Sequence, residues 1–233
     1  MRNPFYVLPF LAFLTLVSCK PPLEAVAVQP RLYEIDEQVA RPQVPATDQA
    51  AAEATALIAP YKAQLDAKMQ RELATIVTPL RKSAPESNLG NWMADLLQAA
   101  AEDIYPDKKI AFTTANQGGV RVNEIGAGPL IVSEIYELMP FDNELVLLEL
   151  TGKEVTEFVS HIANSGGWPV SAELSVRQEE SGKLVIRISG QPVSPTATYF
   201  VALPDYVANG GSNSSMLRAK EQITVHQLMR DLL

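Results

Sequence analysis

The stretch Ile110-Ala-Phe-Thr-Thr-Ala-Asn-Gln-Gly-Gly-Val-Arg121 is the part of the sequence from which the fold is best predicted. Its first six residues, 110–115, are apolar and β-prone, which is typical of a buried strand. The strand pattern ends abruptly in Asn116, two glycines and Arg121, so we expect a tight polar loop at one edge of a sheet. A second polar turn, Pro140-Phe-Asp-Asn143, follows. Loops that a rigid strand presents at the surface commonly bind ligands.

Strand and helix patterns alternate along the rest of the chain. The predicted strands cover 74–80, 110–115, 144–150, 174–177, 184–188 and 199–203, and the predicted helices cover 48–73, 87–97, 133–138, 153–164 and 225–233. Ser87 and Ser133 are the predicted N-caps, and Pro60 predicts a break or a kink in the first helix near Ala59. Several neighbouring strands are joined by connections too short for a parallel crossover. We therefore predict an α/β (α+β) domain with mixed sheets.

The N-terminal residues have the pattern of a targeting segment. Residues 1–18 combine a positive charge at Arg2 with an apolar run that is too short to span a bilayer, which predicts a signal peptide. Cys19 is the single cysteine of the chain and lies where a bacterial lipobox has its cysteine, so we predict that it is lipidated. A secretory signal with an incidental cysteine is the alternative. Residues 19–50 are rich in proline and predict a flexible tether.

These predictions divide the chain and place it in the cell. The folded domain is predicted to cover 51–233, with a leading helix at 51–73. A lipid on Cys19 predicts a protein of the bacterial cell envelope, anchored on the extracytoplasmic (periplasmic or cell-surface) side of a membrane.

Composition excludes several classes of function. The formal net charge is −8, which argues against nonspecific nucleic-acid binding because that affinity comes from basic patches. The two histidines, His161 and His226, are predicted to lie on different helices, so no cluster for a metal ion is expected. No Gly-x-Ser-x-Gly elbow is present. The residues alone therefore predict a binding domain with no catalytic residue and no metal ligand.

Five motifs occur in the order and spacing found in one known family. They are Glu86-Ser-Asn-Leu-Gly-Asn-Trp-Met-Ala-Asp95, Asn116-Gln-Gly-Gly-Val-Arg121, Leu138-Met-Pro-Phe-Asp-Asn143, Leu150-Thr-Gly-Lys-Glu-Val155 and Asp205-Tyr-Val-Ala-Asn-Gly-Gly211. From about Tyr61 to the C-terminus, the chain resembles the C-terminal domain of bacterial and animal 5'-nucleotidases. The resemblance implies a layered α/β/β/α domain with mixed sheets. In that family this domain binds the nucleoside part of the substrate, while an N-terminal metallophosphatase domain holds two metal ions and hydrolyses the phosphate ester.

The resemblance also implies roles for five residues. Asn116 and Arg121 match residues that hold sugar and phosphate-proximal oxygens, for which an amide and a fixed fork of donors are suited. Phe141 and Tyr206 match two aromatic residues that sandwich the base, and Asn143 matches a residue that reads the edge of the base.

Structural roles are the alternatives for the same residues. Asn116 could support a left-handed turn, and Arg121 could form an ion pair with Glu124 or Glu134. Phe141 and Tyr206 could be buried core residues.

The sequence departs from the family pattern at two positions. Ser212 stands where the family commonly has an aspartate that holds ribose hydroxyls. Ser83 stands near the position of a further substrate arginine, and Lys82 and Arg81 are the adjacent basic residues. Both departures predict a weaker nucleotide site.

A larger departure concerns the metallophosphatase domain, for which we expect no room in this chain. One hypothesis is that the chain is the substrate-binding half of a split 5'-nucleotidase. A separate metallophosphatase chain would then carry the divalent metals, and this chain would hold no cofactor. The second hypothesis is a free-standing lipoprotein that binds nucleosides or nucleotides, and the third is a degenerate scaffold that has lost its ligand.

Overall fold

The computed structural model describes residues 47–233. The predictions for the signal peptide 1–18, for Cys19 and for most of the tether 19–50 lie outside the described residues. The chain divides into two compact units, 1–56 and 57–233. In the described part of the chain, all strands belong to the second unit.

The elements are named in chain order. They are α1 (Thr47–Met69), β1 (Glu72–Ile76), β2 (Leu80–Arg81), α2 (Asn88–Ile104), β3 (Ile110–Thr113), β4 (Glu124–Ile125), β5 (Gly128–Ile131), α3 (Val132–Leu138), β6 (Glu144–Thr151), α4 (Gly152–Asn164), β7 (Leu174–Gln178), β8 (Leu184–Ile188), β9 (Gln191–Pro192), β10 (Thr198–Pro204), α5 (Asp205–Ala208) and β11 (Gln222–Leu228). Short 3₁₀ turns lie at Gln117–Gly119, Gly211–Asn213, Ser215–Leu217 and Met229–Leu232.

A four-stranded mixed sheet with the order β11-β6-β10-β3 forms the centre of the second unit. Strand β10 runs parallel to β3 and antiparallel to β6, and β11 runs antiparallel to β6. The predicted α/β fold with mixed sheets is therefore confirmed. The same directions bring the C-terminal ends of β3, β10 and β11 and the N-terminal end of β6 to one edge of the sheet. We call this the loop edge.

The central sheet is buried on both faces, and β6 shows why. Its side chains alternate between two apolar clusters: Leu145 and Leu147 pack on the α2 side, whereas Val146, Leu148 and Leu150 pack on the α4 side. A fully buried leucine contributes about 1.5–3 kcal/mol relative to an exposed one, so this strand is a main source of stability. The small antiparallel sheet β7-β8-β9 covers part of the α4 side through Leu174, Ile186 and Ile188.

The two long helices of the second unit begin as their sequences predict. Ser87 is the N-cap of α2, because its hydroxyl accepts a hydrogen bond from the Gly90 amide at 3.0 Å. In α4, the Thr151 amide donates to the Glu154 carboxylate at 2.9 Å, which is half of a capping box. Val155, Phe158, Val159 and Ile162 face the core, as predicted.

The leading helix differs from its prediction at both ends. It was expected at 48–73, or 51–73 within the domain, but it covers Thr47–Met69, and the chain then enters β1 at Glu72. Glu72 and Leu73, the last residues of the predicted helix, belong instead to β1, which pairs with β5. Pro60 lies inside one continuous helix, so of the two predictions near Ala59 the break is wrong. The side chains of Ile58, Tyr61 and Leu65 on this helix are exposed.

Two predictions near helix ends are also wrong. Helix α3 begins at Val132, and its first turn is capped by the Glu134 carboxylate, which accepts from the Ile131 amide at 3.0 Å; Ser133 is not the N-cap. The segment predicted as a helix at 225–233 continues β11 to Leu228 and ends in a 3₁₀ turn. His226 therefore lies on a strand, where it contacts Glu144 with Nδ1 3.0 Å from Oε2.

Candidate functional site

The loop after β3 forms the first wall of a cavity at the loop edge. Its backbone is fixed on both sides: the Thr114 amide donates to Ala202 O at 3.0 Å, and the Ala115 amide donates to Pro169 O at 3.1 Å. The chain then turns through Gln117–Gly119, closed by a hydrogen bond from the Gly119 amide to Asn116 O at 2.9 Å. A side chain at Gly119 would place its Cβ 3.1 Å from Asn116 Oδ1, so the glycine lets the Asn116 amide lie close to the loop.

Asn116 is 5% exposed, and its Oδ1 atom is buried without a hydrogen-bond partner among the described residues. Its φ of −74° is that of an extended residue, so the alternative role in a left-handed turn is wrong. An unsatisfied buried acceptor costs about 1–3 kcal/mol, and a donor on a ligand would remove that cost.

Arg121 contributes a guanidinium group that has no carboxylate partner among residues 47–233. The nearest polar contact of its Nη1 atom is Gly118 O at 3.5 Å, and its guanidinium carbon lies 5.7 Å from the centre of the Phe141 ring. The two predicted ion pairs do not form. Glu124 binds Arg81, with Nε and Oε2 3.0 Å apart, and the Glu134 carboxylate caps α3.

Lys82 supports the loop after β3 through contacts with its backbone. Its ammonium group donates to Gln117 O at 3.0 Å and to Val120 O at 2.7 Å. Burial, together with the nearby positive charge of Arg121, lowers the pKa of Lys82. Of the two basic residues beside Ser83, Lys82 is thus the one that contacts the loop, whereas Arg81 is engaged by Glu124.

The second wall comes from the turn between α3 and β6. Phe141 is 46% exposed and Asn143 is half-buried, and both side chains line the cavity. Phe141 is therefore not a core residue. The Met229 amide, which follows β11, donates to Asn143 O at 2.9 Å and ties this turn to the C-terminal segment.

The third wall follows β10. The Asp205 carboxylate accepts from the Tyr206 amide at 2.8 Å and from the Glu144 amide at 3.1 Å, which joins α5 to the start of β6. Tyr206 is 49% exposed, so it is not a core residue either. A Cβ atom at Gly211 would lie 2.5 Å from the Tyr206 ring, so glycine is required beside this ring.

Ser212 completes the third wall with an unusual backbone. Its φ is +51°, in the left-handed region, and its amide donates to Tyr206 Oη at 3.3 Å. The Ser212 carbonyl lies 2.9 Å from His161 Nε2, and the edge of the His161 ring packs against Trp168. His161, for which the sequence predicted only a position on a helix, therefore supports the Ser212 turn.

The three walls enclose a cavity of about 340 Å³, which we call the site cavity. It is lined by Asn116, Gly118, Gly119, Arg121, Phe141, Asn143, Tyr206 and Ser212. All five predicted binding residues are thus brought together, although they are far apart in the sequence. Arg121 is the only lining residue with a charged side chain, so the cavity is suited to a ligand that combines an apolar ring with an anionic or hydroxyl group.

A larger cavity of about 450 Å³ lies beside the end of α4 and is lined in part by Trp168, Val170 and Leu174. Glu86 is its only ionisable lining residue, and none of the predicted binding residues reaches it. We regard the smaller site cavity as the candidate functional site, because of these two cavities it alone combines exposed rings with a guanidinium group and a buried amide oxygen that have no carboxylate or hydrogen-bond donor, respectively, as a partner within residues 47–233.

Residues 47–233 contain neither a metal-binding cluster nor a helix that could span a membrane. Within this range, no group of three or more His, Cys, Asp or Glu residues is placed to hold a metal ion. The residues present therefore do not fit a dinuclear metal centre. None of the helices in the same range is long and apolar enough to cross a bilayer.

Sequence reasoning missed several residues that shape the site. Ser212 was noted only as a departure from the family, and Lys82 only as a basic residue beside Ser83, yet Ser212 lines the cavity and Lys82 holds its loop. The supporting roles of His161 and of the C-terminal turn depend on contacts between distant segments, and no local pattern indicates them.

The second unit is an α/β domain with a candidate ligand cavity, and comparison with known proteins gives its family. Residues 67–219 match the family described as 5'-nucleotidase, C-terminal domain. The chain belongs to this family.

Curated relatives include much longer proteins. Protein UshA of Escherichia coli (strain K12) is 31% identical over 113 residues, which is 47% of this chain and 20% of that protein. Protein UshA of Yersinia enterocolitica is 28% identical over 161 residues, or 66% of this chain and 28% of that protein. The chain thus spans less than a third of the length of either relative.

Solved structures show the same fold. The 5'-nucleotidase precursor from Thermus thermophilus superposes with a TM-score of 0.64 at 26% identity, covering 79% of this chain and 39% of that one. The NAD nucleotidase of Haemophilus influenzae superposes with a TM-score of 0.59 at 19% identity, covering 78% of this chain and 37% of that one. The second likeness concerns the fold alone.

Proposed function

We propose that the site cavity binds a nucleoside or nucleotide. The observation that carries this proposal is the convergence of two half-exposed rings, one guanidinium without a carboxylate partner in residues 47–233 and one orphaned amide oxygen on a single cavity. Phe141 and Tyr206 offer ring faces for a base, and stacking of a base on an aromatic side chain contributes about 1–3 kcal/mol. Arg121 is suited to a phosphate group, and Asn116 Oδ1 can accept a hydrogen bond from a hydroxyl or amino group. Membership of the 5'-nucleotidase family supports this choice of ligand.

Titration calorimetry with adenosine, AMP and UDP-glucose tests the binding proposal. We expect Phe141→Ala to weaken adenosine and AMP alike by about tenfold, since it removes a stacking surface. Arg121→Gln is expected to weaken AMP by about tenfold but to leave adenosine almost unchanged, since only AMP carries a phosphate. Tyr61→Ala, which removes an exposed aromatic side chain outside the cavity, is the matched control. A folded wild-type protein that gives no heat with any of the three ligands would leave the degenerate scaffold as the better hypothesis.

For the reaction, we propose that this chain supplies substrate binding and a separate metallophosphatase chain supplies hydrolysis. The lack of a metal-binding cluster in residues 47–233 is the observation that supports this division. The divalent metals would then belong to the partner, and no step of hydrolysis is assigned to the described residues.

The split-enzyme proposal is tested by mixing the purified chain with a metallophosphatase of the same organism that lacks this C-terminal domain. We expect AMP hydrolysis to rise well above that of the partner alone, and the Phe141→Ala variant to give much less of this increase. If nucleotides bind but no such partner gains activity or associates with the chain, a free-standing binding protein is the better description.

We also propose that Cys19 carries the lipid that anchors the chain on the extracytoplasmic side of a bacterial membrane. The signal-like residues 1–18 and the position of the only cysteine support this proposal. Metabolic labelling with a radioactive fatty acid should label the full-length chain and should fail to label Cys19→Ser. Equal labelling of both forms would contradict the proposal.

A further inference from the structure

The turn that carries two site residues, 140–143, is held by the C-terminal segment of the chain. Arg230 Nη1 donates to Phe141 O at 3.3 Å and lies 3.5 Å from Pro140 O, and its Nη2 atom forms an ion pair with Asp142. The neighbouring Met229 amide donates to Asn143 O at 2.9 Å. Two consecutive C-terminal residues thus contact all four residues of the turn.

Arg230 is unusual because it is a charged side chain that is only 12% exposed. Its guanidinium carbon lies 4.8 Å from the centre of the Tyr136 ring, on α3, so the group is confined between α3 and the turn. The Nε atom is buried and has no hydrogen-bond partner among the described residues; the Asp231 carboxylate is 3.9 Å away. Desolvating a guanidinium and leaving one donor unpaired both cost free energy.

Because the Asp142 side chain is 77% exposed, its ion pair with Arg230 is a poor source of stability, but a planar guanidinium group is well suited to fix a backbone. Here one guanidinium nitrogen, Nη1, contacts the carbonyl groups on either side of the Phe141 α-carbon, and the other, Nη2, contacts the Asp142 carboxylate. The Phe141 ring is contacted by Arg121, which follows β3. The Arg230 guanidinium group therefore contacts the backbone of Phe141, whereas Arg121 lies beside its ring.

We propose that Arg230 is a positioning residue that fixes Phe141 and its turn at the site cavity, an inference that rests on the proposed nucleotide-binding function. Arg230 is not among the residues that line the cavity, so it acts on a ligand only through the turn. Removing Arg230 should loosen the turn, which lowers the affinity for any ligand that stacks on Phe141.

A double-mutant cycle with Phe141 tests this role. In the full-length chain, Arg230→Ala is expected to weaken AMP binding by roughly threefold to tenfold, as remote positioning residues commonly do. In the Phe141→Ala background, the same change should weaken binding by less than about twofold, because the side chain through which Arg230 acts is gone. If Arg230 only stabilised the fold, Arg230→Ala would weaken AMP binding equally in the wild-type and in the Phe141→Ala background. Arg230→Lys keeps the charge without the fork and should give an intermediate loss.

Two acidic neighbours of Arg230 provide a matched control pair. Asp142→Asn removes a partner that lies on the turn and should weaken binding in the same direction as Arg230→Ala. Asp231→Asn removes an acidic group that lies outside the turn, 3.9 Å from Nε, and should leave affinity unchanged. An equal loss of affinity in Asp142→Asn and Asp231→Asn would show that Arg230 needs only some nearby carboxylate. It would contradict the proposal that Arg230 acts through the turn.

Hydrogen exchange of the 138–144 segment gives a second readout that needs no ligand. We expect faster exchange in Arg230→Ala and Asp142→Asn than in the wild type and in Asp231→Asn. If the wild type binds no nucleotide but the turn exchanges faster in Arg230→Ala, the positioning role stands and the proposed function is wrong. If the wild type binds AMP, and Arg230→Ala changes neither the exchange of the turn nor the affinity, the proposed function stands and the positioning role is wrong.

Discussion

The side-chain oxygen of Asn116 is the most informative single atom of the site. It is buried, it has no partner among the described residues, and it lies at the wall of the site cavity. A buried acceptor without a donor lowers the stability of the free protein, yet it is well placed to gain a hydrogen bond when a ligand enters. Stability and binding should therefore respond to this residue in opposite directions.

Asn116→Leu is expected to leave the free energy of unfolding unchanged or to raise it by about 1 kcal/mol, because the change removes an unsatisfied polar group and keeps the branching of the side chain at Cγ. The same change should weaken AMP binding by about tenfold, since one hydrogen bond to the ligand is lost. Urea unfolding and calorimetry measure the two effects. A loss of stability of more than about 1 kcal/mol would instead assign Asn116 a structural role in its loop.

At the scale of single residues, the functional groups of the site could be predicted from the sequence, but the contacts of individual charged side chains could not. The amide, guanidinium and ring groups of Asn116, Arg121 and Phe141 can be named from the sequence, and all three line one cavity. The partner of an individual charged group cannot be predicted in this way. Two carboxylates close in sequence were the alternative partners of Arg121, but Glu124, on β4, binds Arg81 on the neighbouring strand β2. Ion-pair choice depends on strand pairing, which local patterns do not fix.

At the element scale, the direction of strands decides where the site forms. Because β6 runs antiparallel to β10, the turn before β6 lies beside the loops that follow β3 and β10. The strands themselves could be predicted from their apolar runs, and β6 was predicted almost to its last residue. The C-terminal segment was misread because Val225, Leu228, Met229 and Leu232 have helical spacing, whereas pairing of β11 with β6 determines the actual structure.

Helix α4 allows a test of pH dependence. The hydrogen bond from Lys220, followed by those from Thr151, lowers the pKa of Glu154. A carboxyl group whose pKa is lower in the folded state adds stability above its unfolded pKa of about 4.3, and this contribution is lost as the pH falls through the folded-state pKa. Glu154→Gln should therefore cost about 0.5–1 kcal/mol near neutral pH and almost nothing in strong acid, a modest effect because the pair is partly exposed.

Urea unfolding near neutral pH and in acid measures the difference between Glu154→Gln and the wild type. Glu157→Gln, an exposed carboxylate on the same helix that forms no ion pair within residues 47–233, is the control and should show no such dependence. A cost for Glu154→Gln that stays constant down to strong acid would mean that packing, and not the charge of Glu154, explains its contribution.

At the scale of the whole molecule, the site exists only in the folded second unit. Its walls come from residues 116–121, 141–143 and 206–212, and the central sheet alone brings them together. The unfolded chain has no such cavity, so a ligand that fills it binds the folded state selectively. Ligand binding and global stability are then linked by mass action.

We expect AMP at about 100 times its dissociation constant to stabilise the chain by about 2.7 kcal/mol, which raises the unfolding temperature by about 5–10 °C for a domain of this size. Phe141→Ala should show almost the same unfolding temperature as the wild type without ligand, because Phe141 is 46% exposed, but a smaller rise at the same AMP concentration. Thermal unfolding at several AMP concentrations measures both quantities. An equal rise in the two proteins would mean that AMP stabilises the chain from somewhere other than the site cavity, since a ligand stacked on Phe141 must lose part of its binding free energy when that ring is removed.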